Sequence, residues 1–106
     1  MKANELRIGN WIDYKNTVCQ YDASDFWEAE NNTQFLELFV KPIPLTEEWL
    51  LKFGFKSVNG YPFKMLCGYI KIRNGIWFFK YYNLDIELKY VHQLQNLYFA
   101  LIGEEL

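Results

Sequence analysis

The side chains with reactive chemistry are few in this chain of 106 residues, and their spacing keeps them apart. His92 is the sole histidine. A histidine-based nucleophile needs it beside Cys19, Cys67, Ser24 or Ser57, which are all the cysteines and serines present. Neither serine stands in a nucleophile-elbow pattern, and neither cysteine has the flanking charge that lowers a thiol pKa. With no Cys-x-x-Cys pair, the cysteines read as two half-buried thiols in a reducing compartment. Two cysteines and one histidine do not fill a structural zinc site. Asp22, Asp25, Glu28 and Glu30 cluster within one short run, the raw material of a glycosidase carboxylate pair or a magnesium site. That run lacks the glycine and the closing glutamate of a calcium loop, and it reads as a solvated acidic turn. No glycine-rich phosphate loop occurs. The expectation is a protein without catalytic residues, metal or cofactor.

Binding chemistry is better represented. A two-residue Asn74-Gly75 turn sets Arg73 against Ile76, Lys71 against Phe78 and Tyr69 against Lys80. Alternation then gives one face Tyr69, Lys71, Arg73, Ile76, Phe78, Lys80 and Tyr82. The other face carries Ile70, Ile72, Trp77, Phe79 and Tyr81, an apolar set suited to a covering helix. Cations for phosphates beside rings for stacking form a single-stranded nucleic-acid platform. The same face also suits a half-solvated sheet kept soluble by its lysines. A second surface is His92, Gln95, Asn96 and Phe99, at helical spacing away from the main apolar stripe of the last helix. A ring among amides fits a protein contact. Phe99 packed under the N-terminal strands is the equal alternative.

These residues need elements to hold them. Leu6-Arg7-Ile8, Trp11-Ile12-Asp13-Tyr14, Val18 to Tyr21, Phe26 to Glu30 and Phe35 to Val40 read as short strands between polar turns. Such strands predict a small, strongly twisted antiparallel sheet or partial barrel. Pro42 and Pro44 end that section. Thr46 then caps a short helix to Phe53, with Glu47 and Glu48 in its first turn and Gly54 as its stop. Asn59-Gly60 and Asn74-Gly75 each predict a hairpin, the first with Pro62 on an edge strand. Asp85 to Lys89 adds one more extended piece. Tyr90, Val91, Leu94, Leu97, Tyr98 and Leu101 form the sheet-facing stripe of a helix over 90–102, and the same register puts His92 in or near solvent. The reading is a single α+β domain over residues 1–106.

Composition agrees with a folded domain: hydrophobic residues are 51% and charged residues 23%. No apolar run approaches a membrane span and the N-terminus lacks a signal-peptide stretch, so a cytoplasmic protein with no membrane association is expected. The net charge of −2 hides an imbalance. Residues 1–50 hold four Lys/Arg and nine Asp/Glu, whereas residues 51–103 hold seven and two. An acidic half and a basic half make recognition of partners of both signs feasible. Three cations on one hairpin support weak nucleic-acid contact at most.

Three blocks carry a resemblance. They are Glu5-Leu6-Arg7-Ile8-Gly9-Asn10-Trp11, then Lys41-Pro42-Ile43-Pro44-Leu45-Thr46-Glu47-Glu48-Trp49-Leu50-Leu51-Lys52-Phe53-Gly54-Phe55, then Tyr90 to Leu101 with Gly103-Glu104-Glu105-Leu106. Together they resemble a family of small phage- and prophage-associated proteins of gut-type anaerobic bacteria and their relatives. The segments over about 12–40 and 56–89 are individual to this chain. The resemblance brings no catalytic residue or cofactor. It implies a common scaffold bearing variable strands, often in mobile elements, where small proteins are frequently inhibitors of host defence such as anti-CRISPRs. The expected function is a non-enzymatic binder of a host protein or ribonucleoprotein complex. The alternative is a single-stranded nucleic-acid module using the Tyr69–Tyr82 face.

Overall fold

The computed structural model describes residues 2–55, 63–65 and 68–106. A 3-10 turn at Ala3–Glu5 leads to β1 (Trp11–Tyr14) and β2 (Thr17–Gln20), followed by α1 (Ala23–Asn31), α2 (Phe35–Phe39) and the short β3 (Val40–Lys41). These strands form an antiparallel sheet in the order β2-β1-β3. After α3 (Glu47–Lys52) come β4 (Phe63–Met65), β5 (Gly68–Arg73), β6 (Ile76–Tyr81) and β7 (Leu84–Leu88), a four-stranded antiparallel meander. The chain then enters α4 (Val91–Ile102). The fold is α+β, as expected, but its strands divide into two sheets. Among the described residues no pairing closes either into a barrel.

The central helix follows its local signals. Thr46 takes the extended backbone of an N-cap, although its hydroxyl makes no capping bond. At the far end Phe55 N–H donates to Leu50 O (3.1 Å) and Gly54 N–H to Leu51 O (3.0 Å), with Gly54 at φ +90°. That is the Schellman pattern, and it requires the left-handed conformation glycine tolerates. The β5–β6 hairpin also keeps the register its turn dictates, with Asn74 at φ +54° and Gly75 at +77°. Its inward face buries Ile70 and Phe79 completely, and they join Leu45, Leu50, Leu88, Val91 and Leu94 in one core. Ile72, expected on that covered face, is exposed. Leu101 of the expected helix stripe is exposed too, two turns beyond Leu94.

Three extended segments are corrected. Leu6-Arg7-Ile8 is not a strand: Leu6 is buried, and Asn10 N–H turns back to Arg7 O (3.0 Å). Phe26 to Glu30 lies in α1, and Phe35 to Phe39 is α2, with only Val40 and Lys41 extended. The physical cause is at Asp22. Its side chain accepts from Asp25 N–H (2.9 Å) while Asp25 Oδ2 accepts from Asp22 N–H (3.0 Å), so the pair is a capping box. In α2, Phe35, Leu36 and Phe39 share a helical face and join Leu6, Ile12, Tyr14, Tyr21 and Val40 in a second core, with the Tyr14 ring 6.0 Å from Phe35 and 6.4 Å from Phe39. The Asn59-Gly60 hairpin and Pro62 lie outside the described residues, as do Ser57 and Cys67.

A polar seam joins the two cores. Asn10 and Gln95, 0% and 1% exposed, lie between the N-terminal segment and α4. Gln95 Oε1 accepts from Trp11 N–H (2.8 Å) and its Nε2 donates to Gly9 O (3.2 Å), so one side-chain amide bonds to the backbone as a neighbouring strand does. Asn10 donates to Asn96 Oδ1 (2.8 Å), and Asn96 donates to Glu5 O (3.0 Å). Arg7 donates to Asn96 (2.9 Å) and to Glu105 (2.6 Å). Trp11 adds an aromatic link to Trp49 of α3, with centroids 5.6 Å apart. The N-terminal segment, the central segment and α4 meet here. Leu45 N–H donates to Lys89 O (2.9 Å) and Val91 N–H to Ile43 O (2.8 Å), which ties the central block to the start of α4.

Candidate functional site

The basic and aromatic hairpin is assembled as its register requires, but β7 changes its charge. Asp85 pairs directly with Lys80, and Glu87 with Phe78. Paired residues share a face, so two carboxylates stand beside Lys71, Arg73 and Lys80. Arg73 lies with its Cζ 4.8 Å from the centre of the Phe78 ring and its Nη2 3.9 Å from Asp85 Oδ2. The ring face that a base would stack on is thus already held by a guanidinium. Tyr82 is displaced from the predicted face. β6 ends at Tyr81, and Tyr82 occupies the turn to β7 at φ +53°, 80% exposed, with its ring edge-on to Tyr81 at 4.6 Å. A tyrosine in that conformation is strained, because its Cβ crowds the following carbonyl.

The outer face of α4 is not free. His92 is 2% exposed and Gln95 1%, which corrects their expected solvent positions. Asn96 is half-buried in the seam, and Phe99 is partly exposed with Arg7 stacked 4.2 Å above its ring. The helix is covered on two sides, by the four-stranded sheet and by the N-terminal segment, so the first two residues of its second stripe, His92 and Gln95, are buried while Asn96 and Phe99 are progressively more open. Phe99 is neither free nor packed under strands: it stays 39% exposed, with the Arg7 guanidinium over its ring. His92 lies parallel to the Tyr90 ring at 5.8 Å, and burial pushes its pKa below the ordinary imidazole value. Among the described residues its Nδ1 has no hydrogen-bond partner.

The acidic cluster is the first turns of α1. Asp22 caps it, Asp25 completes the box, and Glu28 and Glu30 are exposed along it. Burial, with the neighbouring Asp22 charge adding to it, pushes the Asp25 carboxyl above the usual carboxylate range. The helix buries none of its residues. Phe26 and Trp27, 47% and 61% exposed, sit among these acids, with Leu38 of α2 at 62%. An exposed aromatic pair framed by carboxylates has the composition of a contact surface. Reading the segment as a strand hid this pair; the signal was Asp22-x-x-Asp25 ahead of Phe26 and Trp27, a capping box spelled with a second aspartate.

The remaining reactive groups among the described residues are quiet. Cys19 is a half-buried free thiol whose pKa is raised by burial and by Asp25, Asp22 and Asp13. That is the reverse of what a nucleophilic cysteine requires. Ser24 is exposed on α1. Among the described residues no group of three His, Cys, Asp or Glu side chains could hold a metal ion, and no helix is long and apolar enough to cross a membrane. Compared with family models, curated proteins and solved structures, the chain matches none.

Proposed function

We propose that this protein is a non-enzymatic binder that modulates a host protein or protein–nucleic-acid complex. The resemblance adds a phage or prophage setting and a counter-defence role of the anti-CRISPR kind. The observation that carries the reading is a pair of exposed surfaces of different character, one acidic and aromatic, the other cationic with carboxylates interspersed. One is α1, with exposed Phe26 and Trp27 among Asp22, Glu28 and Glu30. The other is the hairpin face with Lys71, Arg73 and Lys80. A nucleic-acid-guided enzyme offers matching chemistry, with basic channels for the first and bound RNA or DNA near the second. The enclosed His92 and the raised thiol of Cys19 support a role without catalysis.

The nucleic-acid module ranks second, because Asp85 and Glu87 stand among the cations and Arg73 covers Phe78. Capture from host lysate on the immobilised protein, with and without nuclease, separates the two. A specific protein retained after nuclease treatment supports the proposal. Recovery of a tightly bound metabolite and no macromolecule overturns it. Submicromolar binding of free single strands that weakens with salt, with a log–log slope of about −0.7 per phosphate contacted, reverses the ranking.

A further inference from the structure

A cleft of ≈ 740 Å³ runs beside the outer edge of β7 and the first turns of α4. Its size is in the range of ligand sites, about 300–1,000 Å³. Ile86, Glu87, Leu88 and Lys89, four successive residues, form one wall. Asn4, Glu5 and Pro42 also line it, together with His92 and Leu97 of the helix.

The hydrogen-bond phase of β7 shows what that wall presents. Tyr81 and Leu84 flank a two-residue turn, so they are a bonded pair, and bonding to β6 repeats at Ile86 and Leu88. Asp85 and Glu87 therefore direct their N–H and C=O groups away from the sheet. Lys89 confirms the phase. Its N–H donates outward to Gln93 Oε1 (2.8 Å) and its C=O accepts outward from Leu45 N–H (2.9 Å). Lys89 is satisfied at the closed end, whereas among the described residues Asp85 and Glu87 have no partner on that side. A row of unpaired strand groups beside a helix is a template for one more strand.

We propose that this groove binds an extended segment of another protein as an added strand on β7, with apolar residues inward and lysine or arginine between them. The occupant follows from charge and alternation. Ile86 and Leu97 give an incoming strand apolar contacts on the inner side, and Leu84, 60% exposed, extends that side at the open end. Side chains of the opposite parity lie beside Glu87 and Asp85, with Asp85 shared with Lys80 and Arg73. Glu5 adds a second carboxylate to the lining, against the single cation Lys89. A second copy of this chain is disfavoured. Antiparallel pairing of two β7 strands about Ile86 sets Asp85 against Glu87 twice, and like charges directly opposite repel. His92 also lines the cleft, 2% exposed, and its Nδ1 has no hydrogen-bond partner among the described residues.

This inference deepens the binding reading above and rests on it. The probe is a synthetic peptide of about nine residues alternating valine or threonine with lysine, titrated into labelled full-length protein by NMR, to roughly 1 mM. The expected result is amide shifts concentrated at Asp85 and Glu87, with slowed exchange there. The same peptide with glutamate for lysine binds at least roughly tenfold more weakly. Glu87→Pro removes an outward N–H at an edge position that tolerates proline, and it weakens binding roughly tenfold or more with unchanged circular dichroism. Should that variant not fold, Glu87→Lys keeps the backbone and moves the preference towards the glutamate peptide. Absence of shifts, shifts confined to Lys71 and Lys80, or equal binding by folded Glu87→Pro overturns the groove. Undiminished capture of a lysate target by folded Glu87→Pro also removes the groove, while leaving the broader binding function standing.

Discussion

The two sheets bury comparable apolar residues and hold them in different ways. The four-stranded sheet lies against α3 and α4 in a core that fully buries Ile70, Phe79, Leu50, Val91 and Leu94, and the Asn74-Gly75 turn and the Gly54 stop beside it follow from their own residues. The three-stranded sheet has a β3 of two residues and leans on the five-residue α2. Its other helix, α1, is held by the Asp22–Asp25 box and by Ala29 packed on the core, with no residue fully buried. The first region is built for stability. Both regions leave large apolar side chains exposed, Ile72 and Leu84 in the first and Phe26, Trp27 and Leu38 in the second, but in the second the aromatic pair sits on a helix with no buried residue. Stability of short helices comes from burial rather than propensity, so α1, which buries no residue, is expected to open more readily than α4.

The comparison is broken most strongly at Phe79. Phe79→Ala is expected to cost about 3–5 kcal/mol, visible as a large drop in the denaturant midpoint. Gln95→Leu tests the seam. It leaves Trp11 N–H without its side-chain acceptor and Gly9 C=O with Gln20 Nε2 as its remaining side-chain donor, and is expected to cost about 1–3 kcal/mol, with faster hydrogen exchange at Trp11. Asp22→Ala removes the cap of α1 and is expected to cost about 1 kcal/mol. Exchange should accelerate over Ala23–Asn31 and stay unchanged in β5 and β6, which sharpens the contrast.

The smallest effect is in acid. His92, with its pKa lowered, contributes stability that is present above the ordinary imidazole value and lost as pH falls through the folded one. Asp25, with its pKa raised, contributes in the opposite sense: stability is present in acid and lost as pH rises through its folded pKa. Denaturant midpoints measured from pH 7 to pH 4 should fall less for His92→Gln than for the parent protein. For Asp25→Asn they should fall more.

The same contrast explains what could be read from the residues. The capped helix, the Asn74-Gly75 register and the Leu94 side of α4 were legible because each local preference agreed with the packing around it. α1 and α2 were not. Adjacent aromatics such as Phe26 and Trp27 favour strands by propensity, and both helices are too short for period alone to outweigh that. His92 and Gln95 were misplaced because one helix carries two buried stripes, and amides at 95 and 96 look like surface until Gly9 and Trp11 are beside them. The carboxylates on the hairpin face were missed for a simpler reason. Asp85 and Glu87 were visible as an extended piece, but their place depended on which strand it joined.

The central claim is binding through two surfaces of different character, and one experiment addresses it directly. The captured target is tested against two charge-reversed forms, Glu28→Lys with Glu30→Lys on α1, and Lys71→Glu with Lys80→Glu on the hairpin. Both alter exposed or half-buried side chains and should leave the fold intact by circular dichroism. Each is predicted to weaken capture by roughly tenfold or more, with the loss reduced at high salt. Full capture by both folded variants would contradict the account.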